Sequence, residues 1–222
     1  MRNVRILFAS TVFPGLLLCA TASLPSHDTP LLRRLSPADL TVTEGALQEE
    51  PPNLLSVNVS KMRAVATIPT QQKAEIRFQY RGPVKQAVPL GSGERRCQIA
   101  LKLRAQDPCN LLYVSWRIAP SPGLVVSLKL NPGMQQSAEC ENGGYQNIKP
   151  LRSTPPPPLG MNQWHRLHAE LDESELRVQI DGRNVWEGYV GDAALQLHGP
   201  VGVRTDNGRF VFELFAAPRP NP

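Results

Sequence analysis

The sequence predicts an all-β sandwich built from antiparallel sheets. Short stretches in which apolar and polar residues alternate recur along the chain, as strands with one buried face require. Turn sequences rich in Gly, Pro, Asn and Asp separate these stretches. The final third of the chain has no stretch with the period of a helix. Many short strands punctuated in this way are typical of a sandwich.

The first 22 residues have the features of a secretory signal peptide. Arg2 and Arg5 form a basic start, residues 6–18 form an apolar run, and small residues precede a cleavage point after Ala22. The run is shorter than the ~20 residues that span a membrane. We therefore predict a secreted or periplasmic, extracellular protein without membrane attachment. Lipid anchoring through Cys19 is an alternative, which the bulky leucine before it disfavours.

Length and charge predict one exported domain. Removal of the leader leaves 222 − 22 = 200 residues, which suits a single β domain. We assign residues 23–39 to a flexible polar lead-in, 40–217 to the domain and 218–222 to a tail. The leader contains two arginines and no acids, so the formal net charge falls from +5 to 5 − 2 = +3. After the leader, the basic residues are dispersed along the chain, which disfavours a nucleic-acid partner and favours a charged groove. We expect a monomer.

The first part of the domain is predicted to form four short strands rich in Val, Leu, Thr and aromatic residues. These cover residues 40–43, 54–58, 62–68 and 75–80. In the fourth strand, Arg77 and Gln79 alternate with apolar residues and point away from the core.

Three consecutive strands are predicted over residues 97–104, 112–118 and 124–130. In each strand every second residue is apolar, so the residues between them share the opposite face. If the strands are adjacent, their polar residues form one basic surface. Its members are Gln98, Lys102, Arg104, Tyr113, Ser115, Arg117 and Lys129. With Arg77 and Gln79 as an extension on a fourth strand, this surface is the candidate ligand-binding site.

Three cysteines follow the leader. Cys109 precedes the second of these strands and Cys140 follows the third, so a bridge between them would join a hairpin to the next loop. Cys97 has the parity of the buried residues. We therefore predict a Cys109–Cys140 disulfide and a buried, free Cys97. A zinc site is disfavoured because no closely spaced cysteine pair is present, and no metal or other cofactor is expected.

An irregular segment from residue 131 to 158 contains paired glycines and four consecutive prolines. Asn142, Tyr145 and Asn147 in this segment are candidates to line one end of a groove. The alternative is a plain connection between the two sheets.

The final third predicts five strands separated by Gly, Pro, Asp and Asn. They cover residues 164–171, 175–180, 185–189, 201–204 and 210–215.

The same region resembles the closing strands of concanavalin A-like, laminin-G-like jelly rolls. The resemblance rests on WHRL at 164–167, LRVQIDG at 176–182, GPVGVR at 199–204 and FVF at 210–212. It implies a jelly roll of two curved antiparallel sheets, with a carbohydrate or peptide groove on the concave sheet. Lectins, glycoside hydrolases and polysaccharide lyases share this fold, so the resemblance leaves the activity open.

Residues 170–175 contain the spacing of a glucanase motif, but their predicted local structure does not suit the reaction. Glu170, Asp172 and Glu175 have the E-x-D-x-x-E spacing of retaining glucanases with this fold. Residues 172–174 are predicted to form a hairpin turn, whereas the reaction needs the carboxylates side by side on one strand. We therefore assign no catalytic residues to this motif.

A polysaccharide lyase is the second catalytic alternative. Jelly-roll lyases that cleave uronate polymers resemble the basic surface in using an arginine, a glutamine and a tyrosine. Arg77, Gln98 and Tyr113 are the residues of those types here, with the cation neutralising a substrate carboxylate. Ala100 stands where such lyases often have a histidine, which weakens this alternative.

We expect a non-catalytic, lectin-like domain that binds an extended, acidic polysaccharide or a similar polymer. The alternatives are a lyase or hydrolase acting on the same face, and a structural envelope module that contacts another protein. A sheet face that is merely solvated is the remaining interpretation, since charged residues commonly cover exposed sheets.

Overall fold

Alternating buried and exposed residues build two antiparallel sheets in a computed structural model that describes residues 31–219. In chain order the strands are β1 (Arg33–Leu35), β2 (Leu40–Glu44), β3 (Gln48–Glu50), β4 (Leu54–Val57), β5 (Lys61–Ala66), β6 (Thr70–Pro83), β7 (Cys97–Asp107), β8 (Asn110–Ala119), β9 (Gly123–Lys129), β10 (Tyr145–Asn147), β11 (Arg152–Ser153), β12 (Trp164–Asp172), β13 (Glu175–Ile180), β14 (Arg183–Tyr189), β15 (Gly202–Asp206) and β16 (Gly208–Pro218). Two one-turn helices, α1 (Ser137–Cys140) and α2 (Asp192–Leu195), and a 3₁₀ helix (Pro37–Asp39) lie in connections.

The strands are arranged as a jelly-roll sandwich, which confirms the predicted fold class. Sheet A has the order β11-β14-β13-β12-β6-β16-β4-β3, and β1 also pairs with β16. Sheet B has the order β10-β9-β8-β7-β15-β5-β2. Strands distant in sequence, such as β7 and β15, are therefore neighbours.

Inward-facing side chains of the two sheets form one core. Phe78 on β6 packs edge-on against Trp116 on β8, with ring centroids 5.4 Å apart. Phe210 on β16 lies 6.1 Å from Phe78. All three are almost fully buried, and burial of a large apolar side chain contributes roughly 1.5–3 kcal/mol. These rings join sheet A to sheet B.

Each of the twelve predicted strands is present, with bounds shifted by a few residues. The largest extension is in β6, which covers Thr70–Pro83 where the sequence predicts 75–80. The four strands that the sequence does not predict are β1, β3, β10 and β11. Each has two or three residues, which is too short for an alternating pattern to be recognised.

Ordered structure begins before residue 40. β1 lies within the predicted lead-in and pairs with β16, where Arg34 is opposite Phe215. Leu35 is buried in the core, which fixes this segment to sheet A. The predicted signal peptide, residues 23–30 and the last three residues of the predicted tail lie outside the described residues. Among residues 31–219 no helix has the length and apolar character needed to cross a membrane.

The disulfide is the predicted one. It joins Cys109, immediately before β8, to Cys140 in α1, across 31 positions of sequence. Cys97 is buried and free. The bridge therefore attaches the loop after β9 to the start of β8.

Replacing both bridged cysteines, Cys109→Ser with Cys140→Ser, is expected to lower the free energy of unfolding by about 3 kcal/mol. The bridge restricts the unfolded chain, and the loss should grow with loop length. Urea denaturation measures the change. In the control variant Cys97→Ala the bridge is intact, so reductant should destabilise it as it destabilises the parent. An effect of reductant on the doubly substituted protein would contradict the assignment.

Candidate functional site

A cavity of about 580 Å³ lies on the outer face of sheet B. Its floor is formed by β7, β8, β9, β15 and β5, and its walls by the loops over residues 84–96 and 130–144. This volume is in the range of known ligand sites. The cavity is the candidate functional site.

Six of the nine residues predicted for ligand binding line this cavity. They are Gln98, Lys102, Tyr113, Ser115, Arg117 and Lys129. β8 pairs with both β7 and β9, so Tyr113 lies opposite Lys102 on one side and Ser127 on the other. The alternation in the sequence thus places these side chains together.

The expected position of Arg77 and Gln79 on this face is wrong. β6 belongs to sheet A, because the chain crosses between sheets before β7 begins. Arg77 stacks on Trp164, with its guanidinium carbon 4.8 Å from the ring centroid, and pairs with Glu213. The Gln79 amide donates to the carbonyl of Asn162. Both residues lie on the outer face of the opposite sheet.

The expected position of Arg104 in the cavity is also wrong. Its backbone has a φ of +47°, and the pairing of β7 with β8 is irregular after Leu103. This irregularity ends the alternation that relates Arg104 to Lys102. Its guanidinium donates to the carbonyls of Leu195 (2.9 Å) and Leu197 (3.0 Å) instead.

Other cavity residues come from strands whose neighbours the sequence does not reveal. β15 lies between β7 and β5, so Arg204 is in register with Ala100 on one side and Arg63 on the other. Alternation along β15 indicates that Arg204 faces outward, but not which strand it adjoins. Tyr145, a candidate from the irregular segment, lies in β10 and lines the cavity.

A buried ionic cluster forms part of the floor. Oδ1 of Asp206 is 2.6 Å from Nη2 of Arg63, and Oδ2 is 2.7 Å from Nε of Arg204. Oδ2 also accepts a hydrogen bond of 2.6 Å from the Gln98 amide. Burial disfavours the Asp206 carboxylate, but the charges of Arg204 and Arg63 outweigh this, so its pKa is below the usual value. The pKa of Arg204 is raised despite burial, because Asp206 stabilises its charge.

Two tyrosines enclose the Arg204 guanidinium. Its carbon is 4.9 Å from the Tyr113 ring centroid, a cation–π distance, and Nη1 donates to the Tyr145 hydroxyl at 3.1 Å. The two tyrosine rings are stacked with centroids 6.1 Å apart. Burial raises the pKa of Tyr113 to about 12, so this phenol is protonated at neutral pH. A tyrosine in this state is poorly suited to remove a proton from a substrate.

Lys102 makes no direct ion pair. The residue is 4% exposed and lines the cavity, and its ammonium has no hydrogen-bond or salt-bridge partner in the described part of the chain. Burial, followed by the charges of Arg63 and Arg204, lowers the pKa of Lys102 to about 7. A buried cation without a partner is costly in a folded protein.

Lys129 supports the cavity wall. Its ammonium donates to the carbonyls of Pro108 (3.2 Å) and Glu141 (3.0 Å) and lies 3.1 Å from Sγ of Cys140. Its nitrogen is also 5.3 Å from the Tyr145 ring centroid. Burial lowers the pKa of Lys129. The side chain therefore fixes the disulfide-bonded loop against the sheet.

The two loops that form the walls touch each other. A Cβ atom on Gly91 would lie 2.7 Å from Cβ of Asn142, so the absence of a side chain at residue 91 permits this contact. The first loop is held in place by Asn207, whose amide donates to the carbonyls of Val88 and Arg96. The loops thus meet above part of the sheet face.

The catalytic patterns considered from sequence are not assembled in the cavity. Gln98 and Tyr113 line it, whereas Arg77 is on the other sheet. Glu170 lies on β12 of sheet A, where Asp172 pairs with Glu175 across the hairpin. Residues 31–219 contain no group of three or more His, Cys, Asp or Glu side chains suited to a metal ion.

Comparisons with known proteins identify the fold. No protein-family model matches the sequence, and no curated protein matches it. The carbohydrate binding module CBM66 from Bacillus subtilis is 13% identical, with a TM-score of 0.54 over 78% of this chain and 91% of the module. This match supports the jelly-roll sandwich.

Two further structures are less similar. Domain 4 of AbnA, a GH43 extracellular arabinanase from Geobacillus stearothermophilus solved with arabinotriose, is 9% identical, with a TM-score of 0.44 over 82% of this chain and 84% of that domain. The transglycosylase Crh5, solved with NAG, is 13% identical, with a TM-score of 0.47 over 83% of this chain and 80% of the enzyme.

Lys102→Met is expected to stabilise the fold at pH 6 and much less at pH 10. The pKa of Lys102 is about 7 in the folded protein against 10.5 ordinarily, so the unfolded state binds more protons between these values and the parent becomes more stable as pH rises. The penalty is full below pH 7 and amounts to at most a few kcal/mol, at about 1.4 kcal/mol per pKa unit. Methionine keeps the apolar length of the side chain.

Chemical denaturation of parent and variant at several pH values measures this difference. The exposed substitution Lys85→Met controls for the loss of one positive charge. An equal gain at pH 6 and pH 10 would show that Lys102 is not the titrating group.

Proposed function

We propose that this protein is exported and binds an acidic carbohydrate polymer in the sheet B cavity, without catalysis. The observation that carries the proposal is the excess of basic side chains around one cavity. The basic lining residues are Lys61, Arg63, Arg96, Lys102, Arg117, Lys129 and Arg204, against the acids Glu44 and Glu141. Such a concentration of one charge in a concave site attracts ligands of the opposite charge.

Neutral polar groups in the cavity suit sugar hydroxyls. Gln98 lines the cavity, with its amide nitrogen bound to Asp206 and its Oε1 shielded from solvent. Ser115 and Ser127 on the floor and Asn147 on the wall add further donors and acceptors. The ring of Tyr145, 38% exposed, offers an apolar surface beside them.

The fold and the disulfide are consistent with this role. The Bacillus module that shares the sandwich is by its name a carbohydrate binding module. A disulfide is typical of proteins in oxidising, extracellular environments. Together with the predicted leader, these features support export.

The chemistry of the cavity favours binding over catalysis. Tyr113 is protonated at neutral pH because of its raised pKa, and the Asp206 carboxylate is occupied by two guanidiniums and an amide. Neither group is available as a base in this arrangement.

A lyase is the second candidate, and Lys102 is the observation that favours it. A lysine whose pKa is lowered to about 7 has the basicity suited to removing a proton at neutral pH. Incubation of the protein with alginate or polygalacturonate distinguishes the two functions. Binding alone yields no product, whereas eliminative cleavage yields an unsaturated uronate that absorbs ultraviolet light.

Retention on uronate polymers tests the binding function. Lys61→Gln combined with Arg117→Gln should lower the affinity for alginate or polygalacturonate at least about tenfold, since lost hydrogen bonds to charged groups cost roughly 1.5–3 kcal/mol each. Neither side chain is fully buried, so the fold should tolerate the changes. Retention of the parent should decrease with added salt and should be absent on a neutral glucan.

A matched control removes the same charge elsewhere. Arg152 and Arg183 are exposed on sheet A, away from the cavity, and Arg152→Gln with Arg183→Gln should leave retention unchanged. Equal retention of both double variants would contradict the proposed binding site. So would a parent protein that binds none of the uronate polymers, and the face would then be a solvated surface.

A further inference from the structure

Building on the proposed function, we propose that the Lys102 ammonium receives the anionic group of the ligand and takes up a proton as the ligand binds, so that affinity falls as the pH rises above neutral. The ligand's carboxylate would thereby act as the direct ion-pair partner that the described residues do not give Lys102.

The charges of the buried cluster do not balance. Asp206 is the carboxylate shared by Arg63 and Arg204, and both of its oxygens are already engaged. These three groups carry a charge of 2 − 1 = +1, and protonated Lys102 raises it to +2. One bound carboxylate would bring it back to +1. The buried cluster therefore has no second carboxylate for Lys102, and Glu44, the other acid that favours its charge, is partly exposed and lies beside Arg63.

The wider surroundings have the same sign. The charged and titratable groups facing Lys102 are Arg204 and Asp206 on β15, Lys61 and Arg63 on β5, Glu44 on β2, Tyr113 and Arg117 on β8, Lys129 on β9, Tyr145 on β10, and Arg96 and Glu141 on the loops. Glu44 is 47% exposed in its side chain and lies 3.7 Å from Arg63 Nε. It is therefore a weak and solvated counter-ion for Lys102.

Burial and the neighbouring cations lower the pKa of Lys102 to about 7, within the neutral range. No histidine is among the residues that line the cavity. Burial also lowers the pKa of Lys129, so the Lys102→Met variant is needed to assign a change in affinity between pH 6 and pH 8 to Lys102.

The expected size of the effect follows from linkage. With a pKa of about 7, Lys102 is mostly protonated at pH 6 and mostly neutral at pH 8. A carboxylate beside it favours the charged form and raises its pKa. Affinity should then fall about tenfold from pH 6 to pH 8, and binding at pH 8 should take up about nine-tenths of a proton.

Isothermal titration calorimetry on the mature, disulfide-bonded chain tests the inference. An oligogalacturonate and an oligoalginate are titrated at pH 6, 7 and 8, and at pH 8 in buffers that differ in ionisation enthalpy. The parent should show the tenfold loss and the proton uptake. Lys102→Arg keeps a charge at every pH and should bind without proton uptake, whereas Lys102→Met should bind more weakly at pH 6 and lose the pH dependence. The control Arg152→Gln with Arg183→Gln should behave as the parent.

Nuclear magnetic resonance of the Lys102 side chain avoids any dependence on variants that fold poorly. The pKa of Lys102 should be higher with the oligosaccharide bound than without it. Binding that is independent of pH and leaves this pKa unchanged would overturn the inference while the proposed function stands. If neither oligosaccharide binds at any pH, both fail.

Discussion

The carboxylate of Asp206 allows this sheet to hold buried positive charge. Removing a charge from water costs several kcal/mol unless a partner compensates. Asp206 is fully buried between Arg63 on β5 and Arg204 on β15 and satisfies both guanidiniums at once. The position of Arg204 in turn sets the stacking of Tyr113 and the hydrogen bond to Tyr145. The floor and one wall of the cavity are thus organised by one acid.

The fold is largely encoded in local patterns that a single sequence displays. Alternation along β7, β8 and β9 gives the correct neighbours, because these strands follow one another through short turns and pair in sequence order. The same alternation gives the correct orientation for Gln98, Tyr113 and Arg117. Turn residues and strand parity therefore account for most of the cavity floor.

The errors arise where long-range pairing or backbone irregularity decides position. Arg77 is outward-facing as predicted but belongs to the other sheet. The alternation of apolar and polar residues does not specify the order of strands across a crossover. Arg204 and Arg63 are missed for the same reason, as they join the site through pairings between distant segments. Arg104 fails for a local reason, since a positive φ interrupts the period of two. A single sequence indicates which face of a strand a side chain occupies, whereas the pairing of distant strands determines which residues lie beside it.

The disulfide fixes one wall of the cavity to the sheet. Cys140 lies in the loop that contributes Glu141 and Asn142 to the wall, and the Lys129 ammonium rests against this bridged end of the loop. Without the bridge, this wall would be held to the sheet by hydrogen bonds alone, such as those from Lys129 to the Glu141 carbonyl and from Asn131 to the Gly143 carbonyl. The shape of the cavity on this side therefore depends on one covalent bond between two loops.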